Sequence, residues 1–309
     1  MNSKNHEIFK FYQYGKTNLY TTFDIFSNKK KNIKKSSCKS NTSLNDILTE
    51  LNNLIGLDNV KKLVKEIIAF IEIQEKRKAE NLLTEPIVLH MVFKGNPGTG
   101  KTTVARLLGK IFKEIGILEK GHLIEVDRAD LVGEYIGHTA VKVKEQIKRS
   151  LGGILFIDEA YSLARGGEKD FGKEAIDTLV KAMEDHKDNF VLILAGYKNE
   201  MDYFLKTNPG LKSRFPIYVD FKDYSIKELI LIAKKIASDR QYQFSNKAIL
   251  KIEHILKKKV YNNGNARYVR NIIERAIRRQ AVRLKNKHKV TRYDLLTILE
   301  EDIVEDDLY

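Results

Sequence analysis

Short apolar runs alternate with amphipathic stretches through the middle of the chain. Val60, Leu63, Val64, Ile67, Ile68 and Ile71 recur three and four apart. That period places them on one stripe and predicts an amphipathic helix over 58–80. Ile87 to Phe93 is an apolar run of strand length. After it, Val104, Leu107, Leu108, Ile111 and Ile115 return to helical spacing. The alternation continues: strands at His122–Val126, Ile154–Ile157, Phe190–Leu194 and Ile217–Phe221, with helices at Thr139–Leu151 and Lys173–His186. Strands alternating with helices imply a parallel sheet covered on both faces.

From Ser225 onward the pattern is helical throughout. Ser225 with Glu228 forms a capping box, and Leu229, Ile232, Ala233 and Ile236 continue that helix. Further helices are predicted near 245–260, 266–286 and 292–304, the last opened by Thr291 and Asp294. The expected fold class is α/β: a core with a five-stranded parallel sheet over 44–222, then a small helical domain over 223–309. Residues 1–43 are polar and lysine-rich, and 28–43 reads as an unfolded linker. No internal repeat is visible.

Charge changes this picture little. The chain has 309 residues and a formal net charge of +14. Half of that excess falls in residues 1–43, where nine lysines face only Glu7 and Asp24. Glu300, Glu301, Asp302, Glu305, Asp306 and Asp307 make the other end acidic. A solvated basic surface explains the balance better than a nucleic-acid groove, so nucleic acid is not an expected partner. The aromatics Phe9, Phe11, Tyr12, Tyr14, Tyr20, Phe23 and Phe26 suit docking on a partner or on the core. No apolar run approaches the eighteen or so residues of a membrane span, and Lys4, Glu7 and Lys10 interrupt any leader, so a cytoplasmic protein is expected. Cys38 is the only cysteine, which excludes an internal disulfide.

The chemistry is concentrated in Gly95-Asn96-Pro97-Gly98-Thr99-Gly100-Lys101-Thr102, followed by Thr103. This is a G-x-x-x-x-G-K-[ST] loop between a strand and a helix. Its backbone N–H groups can turn inward onto phosphate oxygens, at the helix end that favours an anion. Lys101 adds a point charge for the outer phosphates, and the Thr102 hydroxyl suits Mg²⁺. Chance would bring these constraints together in roughly one chain in a hundred of this length. One β-α-β-α unit further on, a buried strand ends in Asp158-Glu159. Asp158 is suited to hold Mg²⁺ through its water shell. Glu159 is suited to deprotonate a water attacking a phosphoryl group. ATP and Mg²⁺ are the expected cofactors. Leu54-Ile-Gly-Leu-Asp-Asn-Val60 suits packing over an adenine base, or only a core-packing turn.

These motifs resemble those of the AAA+ ATPases from about Leu51 to Asp294. The stretches 95–106, Asp130–His138, Ile157–Ser162, Asp170–Val180, Asn208–Phe215 and Gly264–Arg267 narrow the resemblance. They are similar to the branch that holds stage V sporulation protein K and the red-type rubisco activases, with the N-terminal helix favouring the sporulation side. The resemblance implies a hexameric homo-oligomer that remodels a protein client, with a role like that in spore maturation. It assigns Arg214 as an arginine finger reaching a neighbour's γ-phosphate, and Arg267 as a second sensor projected from the helical domain. A structural arginine is the plain alternative for Arg214, and an ion pair with Glu274 for Arg267. At the end of the fourth strand the family usually offers Asn, Thr or Ser to the attacking water. Here Tyr197 and Asn199 are both candidates. Tyr135 resembles an aromatic pore residue gripping the client, and Ala164–Phe171 a lower pore loop; a Tyr packed under a glycine turn is the plain reading. An activase-like chaperone, a nucleic-acid-associated AAA+ motor and a scaffold that cycles without pulling remain the alternatives.

Overall fold

The computed structural model describes residues 43–304, except 85–87, 136, 166–170, 187–188 and 259–263. The expectations for the N-terminal segment, including its aromatics and Cys38, lie outside the described residues. So do most of the 164–171 loop and the acids beyond Val304.

Order opens with α1 (Leu44–Asn52), where Ser43 and Asp46 cap reciprocally. Helix α2 (Asp58–Ala79) buries Val60, Val64, Ile67, Ile68 and Ile71, five of the six stripe positions. Then come β1 (Met91–Gly95), α3 (Lys101–Glu114), β2 (Leu123–Val126), α4 (Arg128–Leu131) and α5 (His138–Ser150). Strand β3 (Ile154–Ile157) and a 3₁₀ turn over Ala160–Ala164 precede α6 (Gly172–Asp185). Next are β4 (Val191–Gly196), α7 (Lys198–Thr207), α8 (Pro209–Lys212) and β5 (Ile217–Phe221). β1 lies further along the chain than the apolar run suggests, because Gly95 is held in register opposite Phe221.

All five strands are parallel, in the order β2-β3-β4-β1-β5. Side chains alternate across the sheet, as a period of two requires. Met91, Phe93, Ile154, Phe156 and Ile193 face a core shared with α1, α2 and α3. Val92, Leu155, Ile157, Leu192 and Leu194 face the core under α5, α6 and α7. Every residue of β3 and β4 is buried, so each strand reads as a continuous apolar run. The chain leaves β1, next to one edge, for the far edge, returns through β3 and β4, and then crosses to β5. Ligands bind in such sheets beyond the carboxyl ends of the strands, where the direction of winding reverses.

The small helical domain past β5, here called the lid, has its own core of Leu229, Ile252, Ile255, Leu256, Ile273 and Ile298, among others. It comprises α9 (Ile226–Asp239), β6 (Gln243–Phe244), α10 (Asn246–Lys258), α11 (Asn265–Lys285), α12 (Arg292–Leu296) and β7 (Thr297–Ile298). Both expected capping boxes form, at Ser225/Glu228 and Thr291/Asp294. The expected helix over 292–304 does not. It stops at Leu296, and the chain pairs in parallel with β6 before a 3₁₀ turn at Glu300–Asp302. The cause is tertiary. The buried amide of Gln280 donates to the carbonyls of Asp294, Leu295 and Thr297, which occupies acceptors a continuing helix would use. Asp302 accepts from Leu299 N–H at 2.8 Å and is forked by Arg283 at 2.8 and 2.9 Å, which fixes the turn.

Candidate active site

A cavity of about 330 Å³ opens beyond the carboxyl ends of β1, β3 and β4. The phosphate loop supplies Gly95, Pro97, Gly98, Gly100, Lys101, Thr102 and Thr103 to its wall. Asp158 and Glu159 come from the end of β3, Gly196 and Tyr197 from β4, and Ala266, Arg267 and Arg270 from α11. Register explains the convergence: Lys94 lies beside Gly196, and Ile157 beside Leu194, so three loops leave the sheet at one level.

The loop turns through Gly98 and Gly100 at φ +72° and +98°, where a side chain would be strained. A Cβ on Gly98 would also overlap the Gly264 carbonyl. Thr99 is fully buried, and its hydroxyl donates to the Asn96 carbonyl at 2.8 Å, which closes the turn. Lys101 Nζ donates to the carbonyls of Gly95 at 2.8 Å and Asn96 at 2.9 Å. Burial pushes its pKa down; Asp158 opposes that, and Arg267 adds to it. An ammonium so placed gains from any anion entering the cavity. Among the described residues of 54–60, none lines the cavity, although Leu54 and Leu57 pack against the core beside it.

Glu159 sits at φ +47°, ψ +42°, a left-handed backbone that only a few per cent of non-glycine residues adopt. Its N–H donates to Asp158 Oδ1 at 3.0 Å. The Tyr161 phenol lies close enough to feel the Glu159 charge. Burial first, and then the Glu159 charge, push that phenol up to about 12, so it keeps its proton as a donor. The Tyr161 and Tyr197 rings lie 6.1 Å apart, and the Arg165 guanidinium covers the Tyr161 face at 4.6 Å.

The donor set suits Mg²⁺. Thr102 and Asp158 offer hard oxygens to the same cavity, and Thr102 Oγ1 lies 3.4 Å from Glu125 Oε1. No group of three or more His, Cys, Asp or Glu residues gathers into a metal cage among the described residues. Mg²⁺ needs none when phosphates and waters complete its shell.

The other sequence-derived candidates fall in different places. Arg267 faces the cavity, and Glu274 pairs with Arg240 at 3.2 Å rather than with it. Tyr197 lines the cavity, whereas Asn199 does not. Arg214 is outside it: its guanidinium pairs with Glu184 through Nε at 3.1 Å and Nη2, and Nη1 donates to Gly210 O at 2.8 Å. Tyr135 is 66% exposed, with its ring edge-to-face on His138 at 5.4 Å. It is not packed beneath the glycines beside it.

Arg270 and Asp223 escaped the sequence reading, whereas Tyr161 and Asn265 lie in the stretches 157–162 and 264–267 but were given no role. Arg270 had a signal, since it stands one turn past Arg267. Asp223 had none, because its link to the loop exists only in three dimensions.

This geometry defines a nucleotide-dependent P-loop protein with a lid. Residues 91–223 match the family described as "ATPase family associated with various cellular activities (AAA)", and 225–308 match the AAA lid domain. Stage V sporulation protein K of Bacillus subtilis (strain 168) is 56% identical over 265 residues, 84% of this chain and 82% of that protein. Protein CfxQ of Xanthobacter flavus is 46% identical, covering 84% and 83%. The chloroplastic ribulose bisphosphate carboxylase/oxygenase activase of Cyanidioschyzon merolae is 44% identical, covering 87% and 94%. A solved Thermotoga maritima RuvB mutant shares the fold at TM-score 0.53 and 22% identity, over 84% of this chain and 69% of that one. The chain belongs to the AAA ATPase family. No helix among the described residues is long and apolar enough to cross a membrane.

Proposed function

We propose that the protein hydrolyses ATP to ADP and phosphate in a hexameric ring of identical subunits, and that it remodels a client protein. The observation that carries this reading is a division of the chemistry. Lys101, Asp158, Glu159 and Arg267 face one cavity, while Arg214 stands apart from it with an acidic partner on its own chain. A site so divided is completed by a neighbour.

The loop N–H groups and Lys101 bind the phosphates of ATP, and Thr102 with Asp158 would hold Mg²⁺. When bound, Mg²⁺ neutralises phosphate oxygens and helps orient them for in-line attack. Glu159 takes a proton from water as the water oxygen bonds to the γ-phosphorus. The bond from that phosphorus to the ADP oxygen breaks. Tyr161, beside Glu159, steadies its carboxylate, and Tyr197, which lines the cavity, orients the attacking water. Arg267, Arg270 and a neighbour's Arg214 stabilise charge on the transferring group. Tyr135, exposed on the loop between α4 and α5, grips an extended polypeptide and moves it with each cycle. The identity with stage V sporulation protein K supports a role in sporulation. The identity with the chloroplastic ribulose bisphosphate carboxylase/oxygenase activase supports a second reading, a chaperone acting on that carboxylase.

Glu159→Gln tests the central chemistry. It should bind ATP with near-normal affinity and lose turnover by at least about a hundredfold. Affinity capture of that variant with ATP should bring down the client, and its identity separates the two readings. Normal turnover would place the base elsewhere.

A further inference from the structure

One hydrogen-bonded cluster beside the cavity, built on the buried Asn265, has no part in that chemistry. Asp223 lies just past β5 and reaches back to the phosphate loop. Its carboxylate accepts from Asn96 Nδ2 at 2.9 and 3.0 Å, and from Asn265 Nδ2 at 2.8 Å. Asn265, the first residue of α11, is 3% exposed. Its Nδ2 also donates to the Pro97 carbonyl at 3.3 Å, and its Oδ1 accepts from Tyr224 N–H at 3.0 Å. Both faces of the amide are therefore engaged, which fixes one orientation. The backbone adds a second tie, Ala266 N–H to Gly98 O at 3.1 Å. Tyr224 adds a third, its hydroxyl donating to Thr99 O at 3.1 Å.

The backbone of Asn265 is left-handed, at φ +48°. Asn tolerates that conformation far better than most side chains. Here it combines the conformation with an amide that spans loop, carboxylate and lid. Arg267 follows two residues later and Arg270 one turn beyond, and both line the cavity. Their direction is set by the turn that Asn265 anchors.

We propose that Asn265 is a positioning residue that pins α11 to the phosphate loop, so that Arg267 and Arg270 are held toward the outermost phosphate. The pin makes the site discriminate ATP from ADP. It also carries any shift of the loop directly into the lid. This inference rests on the reading that the loop holds nucleotide phosphates.

Asn265→Gly is the informative variant, because glycine keeps the left-handed backbone and removes only the amide. Asn265→Asp is its companion. It keeps the size but sets a second carboxylate against Asp223. Affinities for ATP and ADP should be measured on both, on Arg267→Ala and on the double variant Asn265→Gly/Arg267→Ala. Both Asn265 variants should lower ATP affinity about tenfold while ADP affinity changes little, the loss of hydrogen bonds to a charged group. Adding Arg267→Ala to Asn265→Gly should cost little more than Arg267→Ala alone, since one residue acts through the other. A merely structural role would lower melting temperature and leave the ATP-to-ADP affinity ratio unchanged. An unchanged ratio in both variants, or losses that multiply in the double variant, would overturn the pin. Lys101→Ala, run alongside, separates the two failures: if it still binds ATP normally, the phosphate-loop reading fails and takes the pin with it.

Discussion

At the residue scale the site is a set of opposed charges held just out of balance. Lys101 is half-embedded in loop carbonyls, and burial drives its pKa down. It therefore gains more from a phosphate than an exposed lysine would. Lys101→Ala should weaken ATP binding by roughly a hundredfold, the loss of about two charge-assisted bonds. Titration calorimetry or a fluorescent ATP analogue reads this directly, and retained affinity would remove the loop from the site. The loop and the Asp158-Glu159 pair were legible in the sequence because each is a contiguous motif whose neighbours fix its geometry. The left-handed backbone at Glu159 was not, nor was the nearness of Tyr161. Backbone strain and the approach of one side chain to another depend on packing that no local pattern encodes.

At the element scale the sheet is what brings the pieces to one level. Its parallel strands followed from the alternation of apolar runs and amphipathic stretches, and three of the four expected lid helices from their period. The 292–304 helix failed because Gln280, distant in sequence, captures the carbonyls it needed. His90 shows how the sheet responds to acid. It is buried between Phe190 and Phe215, and its Nδ1 accepts from Leu192 N–H at 3.0 Å. Burial lowers its pKa to about 4, with a bond to the Met183 backbone opposing. The unfolded chain takes up a proton near pH 6.5, and the folded chain resists until about pH 4. Between those values the unfolded state binds more protons, so stability falls as pH falls, by up to roughly 1.4 kcal/mol per pH unit from this group. Urea melts from pH 7 to 4.5 should show that slope, and His90→Gln, which keeps an acceptor without titrating, should flatten it. An equal slope in the variant would assign the loss to other groups.

At the scale of the whole molecule the account turns on what one chain lacks. Tyr135 is exposed on a loop that nothing within the described chain covers, and Arg214 is held away from the cavity by Glu184. The sequence marked both positions through family resemblance alone. Spacing could not show that both would fall outside the cavity. Tyr135→Ala should keep basal ATP turnover within about twofold, since it touches no residue of the cavity, and should lose client processing. An assay on the captured client reads this. Loss of basal turnover together with processing would instead give Tyr135 a place in the site. Arg214→Ala should reduce turnover by about a thousandfold, within the range known for arginine fingers. The most direct measurement mixes that inactive variant with equally inactive Lys101→Ala and follows ATP turnover against their ratio. If a nucleotide is held by one subunit and completed by the next, the mixture recovers activity, highest near equal amounts. If every mixture stays as inactive as its parts, each chain carries its whole site and the shared-site account is wrong.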